Sequence, residues 1–218
     1  MPTGVAIRDP REQLFDAAER VLLRAGPNAL TSRAVTAEAG CAKGVLHRHF
    51  ADFDAFLAEL VLDRIGRIDS QAAALRASAG TGTVAGHLTA ALSEVFGPVA
   101  RAILGLVTAR DNLRARLRAA TPAGVPLLAE ATAMIAAYLT AERELGRIAA
   151  DADADTLALT LVGTGHLLFA GRDGPAPEPE AVRKIVTTVV AGVVPEAGQC
   201  GPGREITPGE TKEIPAQF

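Results

Sequence analysis

The sequence predicts an all-α protein: a small N-terminal unit of three helices, residues 9–51, followed by a larger helical body, residues 52–194. Three observations predict it. Apolar residues recur at helical spacing along most of the 218 residues, and no segment alternates with the period-two pattern of a strand. The composition is rich in alanine and only 4% aromatic, with one Tyr and no Trp. Alanine loses little on entering a helix, whereas pleated sheets favour β-branched and aromatic side chains. Finally, Gly26-Pro27, Gly97-Pro98 and a Gly/Ser/Thr-rich break at 78–83 divide the periodic segments as helix breakers would.

The elements follow in order. Asp9-Pro10 opens a first helix with Leu14, Ala18, Val21, Leu22 and Ala25 at helical spacing, and Gly26-Pro27 closes it. A short segment begins at Thr31, carries Ala34, Val35 and Ala39 on one side, and ends at Gly40, where a left-handed cap suits glycine. A third short helix runs from about Lys43 to Phe50. Asp52 is the expected N-cap of a long fourth helix reaching about Ala77. Leu88, Leu92, Val95 and Phe96 mark the next helix, and Val99, Ile103, Leu106 and Val107 another. Leu113 and Leu117 are placed in an arginine-rich surface turn, and Pro122 and Pro126 bracket a loop. A long helix then carries Leu127 to Leu139 and ends near Gly146. Asp151, Asp153 and Asp155 precede the following helix, where carboxylates complement its N-terminal dipole. A Pro-rich linker, 171–179, leads to a last helix at about Glu180–Val194, and residues 195–218 read as a disordered tail.

At 49% hydrophobic, the chain is too apolar to be disordered as a whole. Cys41 and Cys200 are too few for a disulfide framework or a four-thiolate zinc site, which points to a reducing compartment. The N-terminus lacks the apolar run of a signal peptide, and the longest uncharged stretch, between Asp155 and Arg172, is too short and polar for a membrane span. A cytoplasmic protein without a membrane partner is expected. The formal charge of −3 hides an asymmetry: seven basic against five acidic residues through Phe50 give that segment +2, leaving −5 on the remainder. A basic module on an acidic body suits contact with a polyanion through one end.

Residues 31–50, TSRAVTAEAGCAKGVLHRHF, read as helix, tight turn, helix. Gly40 lets two helices cross steeply, and Val35, Leu46 and Phe50 can pin the second against the first. Lys43, Gly44, Val45, His47, Arg48 and His49 then remain to enter a major groove. With the upstream helix, this stretch resembles the N-terminal DNA-binding domain of TetR-family transcriptional regulators. The resemblance rests on Thr31, Val35, Ala39-Gly40, Lys43-Gly44, Leu46 and His49-Phe50, followed by an acidic start to the fourth helix. It covers about the first quarter of the chain; the remainder matches in architecture only.

The resemblance implies a homodimeric repressor of double-stranded DNA, released from a pseudo-palindromic operator when a small, largely apolar molecule occupies the body. Thr31 would cap the second helix and bind a phosphate, and Lys43 and Gly44 would meet phosphates at the start of the recognition helix. His47 stands where the family usually has Tyr, and His49 matches the family His. Arg33, Arg48 and Val45 complete the expected DNA-binding set. Three departures stand out: Ala42 replaces a Ser, Phe53 replaces a Lys that commonly contacts the backbone, and Thr36 replaces Ala. The first two remove phosphate contacts. The body positions expected to line a ligand cavity are His87, Leu92, Leu104, Thr108, Met134, Tyr138 and His166. The expected dimer interface pairs Leu161, Leu168 and Phe169 of one helix with Ile185, Val189 and Val193 of the last, Gly163 and Gly165 allowing close approach.

Other chemistries find little support. Cys41, His47 and His49 could suggest zinc or copper, but two histidines two residues apart face different sides of a helix, and a fourth ligand is missing. No metal or other cofactor is expected. No phosphate loop, nucleophile elbow or HExxH motif is present, so catalytic residues are not assigned. The rival to a regulator is a ligand-binding or protein-interaction module of the same fold that has lost tight DNA binding, a reading kept open by Ala42 and Phe53.

Overall fold

In the computed structural model, residues 9–120, 125–169 and 177–194 are described. The expected tail at 195–218, most of the Pro-rich linker and Pro122 lie outside them. The described residues form ten α-helices and no strand: α1 Pro10–Ala25, α2 Ser32–Glu38, α3 Gly44–His49, α4 Phe53–Ala77, α5 Val84–Val95, α6 Pro98–Ala109, α7 Asp111–Ala120, α8 Leu128–Glu144, α9 Ala154–Phe169 and α10 Pro179–Val190.

Local chemistry sets many of the boundaries. The Asp9 carboxylate accepts from the Arg11 and Glu12 amides with Pro10 at the first helical position, and Gly26 stops α1 at φ 75°. Thr31, Asp52 and Thr83 cap α2, α4 and α5 through side-chain oxygens that accept from Ala34, Ala55 and Gly86 amides. Each such cap is worth about 1 kcal/mol. Between α5 and α6 the axis turns by 55° at Gly97-Pro98, where proline cannot donate to a continuing helix. No single helix among the described residues is long and apolar enough to cross a membrane.

In the N-terminal unit, Leu14, Val21, Val35 and Leu46 are enclosed, and Phe15, Phe50 and Phe56 form a ring cluster with centroids 5.0–5.8 Å apart. Phe56 belongs to α4, so the small unit borrows the start of α4 to complete its core. In the body, α4 packs on α8, α8 on α9, and α10 on α5 and α9. A buried carboxylate ties these layers to the α4–α5 loop. Glu142 accepts from the Tyr138 hydroxyl at 2.6 Å and from the Gly80 amide at 3.4 Å, and it faces Arg147 Nε at 3.4 Å. Arg147 in turn donates to the Thr81 and Gly82 carbonyls. Burial and the Glu142 carboxylate push the Tyr138 hydroxyl pKa well up, so the phenol stays protonated and remains a donor.

Two lines of contact join the N-terminal unit to the body. α1 packs against α6. At α7, Arg116 pairs with the α4 cap Asp52 at 2.7 Å, while Arg110 donates to the Leu30 carbonyl at 3.2 Å and lies 5.9 Å over the Phe53 ring. The segment expected as a surface turn is thus the helix α7, and both Leu113 and Leu117 are fully enclosed. Two leucines four residues apart give a weak periodic signal among arginines; their burial against α4 and α6 stabilises the helix.

Candidate nucleic-acid interface and ligand cavity

The α2–α3 turn has the geometry that a steep crossing needs. Gly40 adopts φ 66°, and the Cys41 amide donates to the Thr36 carbonyl at 3.0 Å, closing the end of α2. Thr36, one of the departures, is buried and turns its hydroxyl back onto the Ser32 carbonyl at 2.9 Å. α3 has no side-chain cap. Lys43 stands at its N-cap with helical backbone angles, and the exposed Ala42 offers no side-chain oxygen, only its carbonyl, which accepts from the Val45 amide at 2.9 Å. The short helix is held instead by Leu46, fully enclosed, and by Phe50 at its end. Arg11 fixes that end from outside, donating to the His49 carbonyl, stacking 4.7 Å over the Phe50 ring and pairing with Glu59.

Charge is distributed unevenly over this unit. Arg11 is paired with Glu59, and Arg20 and Arg24 both hold Glu38, at 2.9 and 2.8 Å. Those two guanidinium hydrogen bonds hold the Glu38 carboxyl below the usual carboxylate range. Arg33, Lys43 and Arg48 are exposed and have no carboxylate partner among the described residues. His47 is exposed beside them, and His49 and Val45 are half-buried. Thr31 is exposed while its hydroxyl caps α2. The cations left free lie on the second and third helices, and those turned away are neutralised within the fold. Cys41 is half-buried, and burial pushes its thiol pKa up.

In the body, a cavity of about 350 Å³ opens between α4 and α5. Ser70, Gln71, Ala74 and Leu75 line it from α4, His87, Ala90, Ala91 and Glu94 from α5, and Met134 from α8. His87 Nδ1 lies 3.0 Å from the Tyr138 hydroxyl, whose one proton goes to Glu142, so the imidazole donates to Tyr138 through Nδ1.

Residues 14–60 match the family model of bacterial regulatory proteins of the tetR family. The N-terminal helix-turn-helix unit is therefore similar to the DNA-binding domain of that family. Solved structures resemble it over nearly their whole length: the fatty acid degradation regulator FadR from Bacillus halodurans (18% identity, 88% of this chain and 98% of that one, TM-score 0.65), a transcriptional regulator from Rhodococcus sp. Rha1 (20%, 84% and 97%, 0.63) and a gamma-butyrolactone receptor described as ArpA-like (23%, 85% and 88%, 0.56). At these identities the likeness is one of fold. No curated protein matches the chain in sequence.

The structure places the expected ligand residues in different surroundings. His87 and Met134 line the cavity. Leu92 and Tyr138 are fully enclosed core, and Leu104 is nearly so. Thr108 is exposed, with its hydroxyl donating to the Leu104 carbonyl, and His166 lies half-buried beside Phe96. Glu94, Gln71 and the small residues of α4 and α5 were outside the expected set, because a Glu and a Gln at helix-surface spacing read as solvated. Of the expected interface residues, Leu161 and Phe169 point into the protomer's own core and offer no surface. Leu168, Val189 and Val193 are half-buried against that core, and Ile185 is half-buried. Gly165 is likewise internal: a Cβ there would stand 2.7 Å from Phe96 Cε2. The outer face of α9 instead carries Leu159 and Leu167, 65% and 78% exposed, with Thr156, Thr160 and Gly163.

Proposed function

We propose that the chain is a homodimeric, ligand-released repressor that reads a pseudo-palindromic operator with α3. The observation that carries this is the distribution of free charge. Of the described basic residues before Phe50, those without a carboxylate partner are Arg33, Lys43 and Arg48, and they sit on the helix-turn-helix. Phosphate neutralisation by such cations supplies most of the affinity for any DNA; on α3, His47 is a further candidate for a phosphate, and Arg48 and Val45 are candidates for base edges or the backbone.

Dimerisation would use the outer face of α9 together with the half-buried edge of α10. Leu159 and Leu167 are too apolar and too exposed for a solvated face. Two-fold symmetry then sets two α3 helices about one DNA turn (~34 Å) apart, or somewhat more. A ligand between α4 and α5 would bias α4, and α4 is bound to the N-terminal unit through Phe56, whose ring meets Phe15 and Phe50, and through the Arg11–Glu59 pair. The ligand acts only by its differential affinity for the two spacings of the reading helices. Such a protein works where its operator is, in the cytoplasm.

The test is binding of the purified protein to labelled DNA from around its own gene against scrambled DNA, at low and physiological salt. Selective binding that survives physiological salt supports the regulator. Loss of selectivity on every operator tried would leave a ligand-binding or interaction module as the account of this fold.

A further inference from the structure

The cavity between α4 and α5 has an unusual polar inventory. Its walls are apolar, formed by Ala74, Leu75, Ala90, Ala91 and Met134. Its polar end is built from Gln71 and Glu94. Gln71 Nε2 donates to Glu94 Oε1 at 2.7 Å, which fixes the amide's orientation, and Gln71 Oε1 is then buried with no hydrogen-bond partner in the protein. A buried acceptor left unmade costs about 1–3 kcal/mol, so the site gains when something brings it a donor. The residues lining the cavity include no Lys or Arg. The remaining titratable group, His87, already directs Nδ1 toward Tyr138.

We infer that this cavity takes an organic cation, an ammonium group on an apolar body, with the ammonium donating to Gln71 Oε1 and to the Glu94 carboxylate and the body lying against Met134 and the alanines of α4 and α5. The inference rests on the ligand-responsive reading above and names the chemical class of its ligand. An ammonium carries three donors and no acceptor, which is what an orphaned amide oxygen beside a carboxylate can satisfy. A carboxylate ligand would meet two acceptors and a like charge. A wholly apolar ligand would leave Gln71 Oε1 unpaired. Glu94 sits at the exposed mouth of the cavity, so its attraction is moderated by water and the discrimination is correspondingly limited.

The experiment is calorimetric titration of the full chain, without DNA, using hexylamine, 4-phenylbutylamine and 1-adamantylamine, each against the carboxylate on the same skeleton. At least one ammonium should bind roughly tenfold more tightly than its carboxylate partner, an advantage of about 1.4 kcal/mol. Glu94→Gln, which keeps the hydrogen bond with Gln71, should remove most of that preference, and Ala90→Phe, which fills the cavity, should abolish the binding. Carboxylates binding as well as every ammonium, or a preference unchanged in Glu94→Gln, would overturn the assignment. Operator binding, measured separately, keeps the two readings apart. Ammonium-selective binding by a protein that ignores operator DNA leaves the ligand class standing and sinks the regulator. Operator release by the carboxylates alone does the reverse.

Discussion

Replacing Lys43 by Ala tests whether the free cations on the helix-turn-helix are phosphate contacts. Each protomer presents three, Arg33, Lys43 and Arg48, without a carboxylate partner among the described residues, so a dimer presents six. If each neutralises one phosphate, log K against log salt should slope at about −5, and affinity should fall roughly a thousandfold between 50 and 200 mM salt. Lys43→Ala removes one cation per protomer and two per dimer. The slope should move to about −3.6, and the same change in salt should cost only about a hundredfold. The loss should be nearly uniform across sequences, because phosphates carry no base information. Lys43 is exposed and makes no side-chain cap, so the fold should not notice. The control is Arg20→Ala in the same unit. Arg20 is spent on Glu38, and Arg24 remains to hold that carboxylate, so the slope should stay where it was. The assay is fluorescence anisotropy with labelled operator at five salt concentrations. A slope unchanged by Lys43→Ala, or equally changed by Arg20→Ala, refutes the argument from unpaired charge.

Three further outcomes are expected. Gly165→Ala puts a methyl 2.7 Å from Phe96 Cε2, an edge already stacked on Phe169 with centroids 5.3 Å apart, and overpacking of this kind costs about 1–3 kcal/mol. Alanine's helix propensity returns up to about 1 kcal/mol, so urea denaturation should show a net loss, and a variant more stable than the parent would contradict the contact. Leu167→Asp on the outer face of α9 should shift the protein from dimer to monomer in sedimentation velocity while leaving its circular dichroism intact; a dimer that persists unchanged would move the interface elsewhere. Glu19 is half-buried between α1 and α4, and burial raises its carboxyl above the ordinary glutamate value despite Arg67 and Arg64 nearby. Its folded pKa lies above the unfolded one, so its favourable contribution is present at low pH and is lost as pH rises through the folded value. Glu19→Gln should therefore raise the melting temperature at neutral pH and give no gain below the glutamate range; a gain of equal size at both would rule out ionisation as its cause.

How much of this was legible in the sequence depends on how local each signal is. Thr31, Gly40 and Asp52 announce helix ends because capping involves neighbours within three residues, and those boundaries hold to within a residue or two. α7 was not legible, because its helix depends on where Leu113 and Leu117 are buried and not on the arginines around them. In α9 the ambiguity is rotational. Leu157, Leu161 and Phe169 fall toward the protomer while Leu159, Gly163 and Leu167 fall outward, and a helix apolar on both faces does not declare which face meets its own chain. The cavity is a harder case. Met134 and Tyr138 are one turn apart on α8, yet one lines the opening and the other is sealed behind it. What separates them is how α4 and α5 pack over α8, a tertiary arrangement with no sequence period. Glu94 and Gln71 become informative only when helices distant in sequence bring them to 2.7 Å.

Phe53 changes meaning once the structure is in hand. Where the family commonly places a Lys that holds the DNA backbone, this chain has an aromatic ring stacked on Phe56 at 5.6 Å, with Arg110 of the body 5.9 Å above it. Arg110 also grips the Leu30 carbonyl, immediately before the cap of α2, and the adjoining α7 supplies Arg116 to the cap of α4. The position therefore exchanges a phosphate contact for a contact between body and reading head. With Ala42 also lacking a hydroxyl, fewer groups would hold DNA non-specifically if the chain reads DNA as proposed. The same exchange adds contacts, Arg110 to the Phe53 ring and to the Leu30 carbonyl, at the connection through which a body ligand would act. An allosteric protein needs both states within reach of its ligand's differential affinity. A weaker hold on DNA lowers the coupling required to release it, and a firmer junction raises the coupling available. On the proposed reading, the two departures from the family pattern would push in one direction, toward a reading head that is easily moved by what occupies the body.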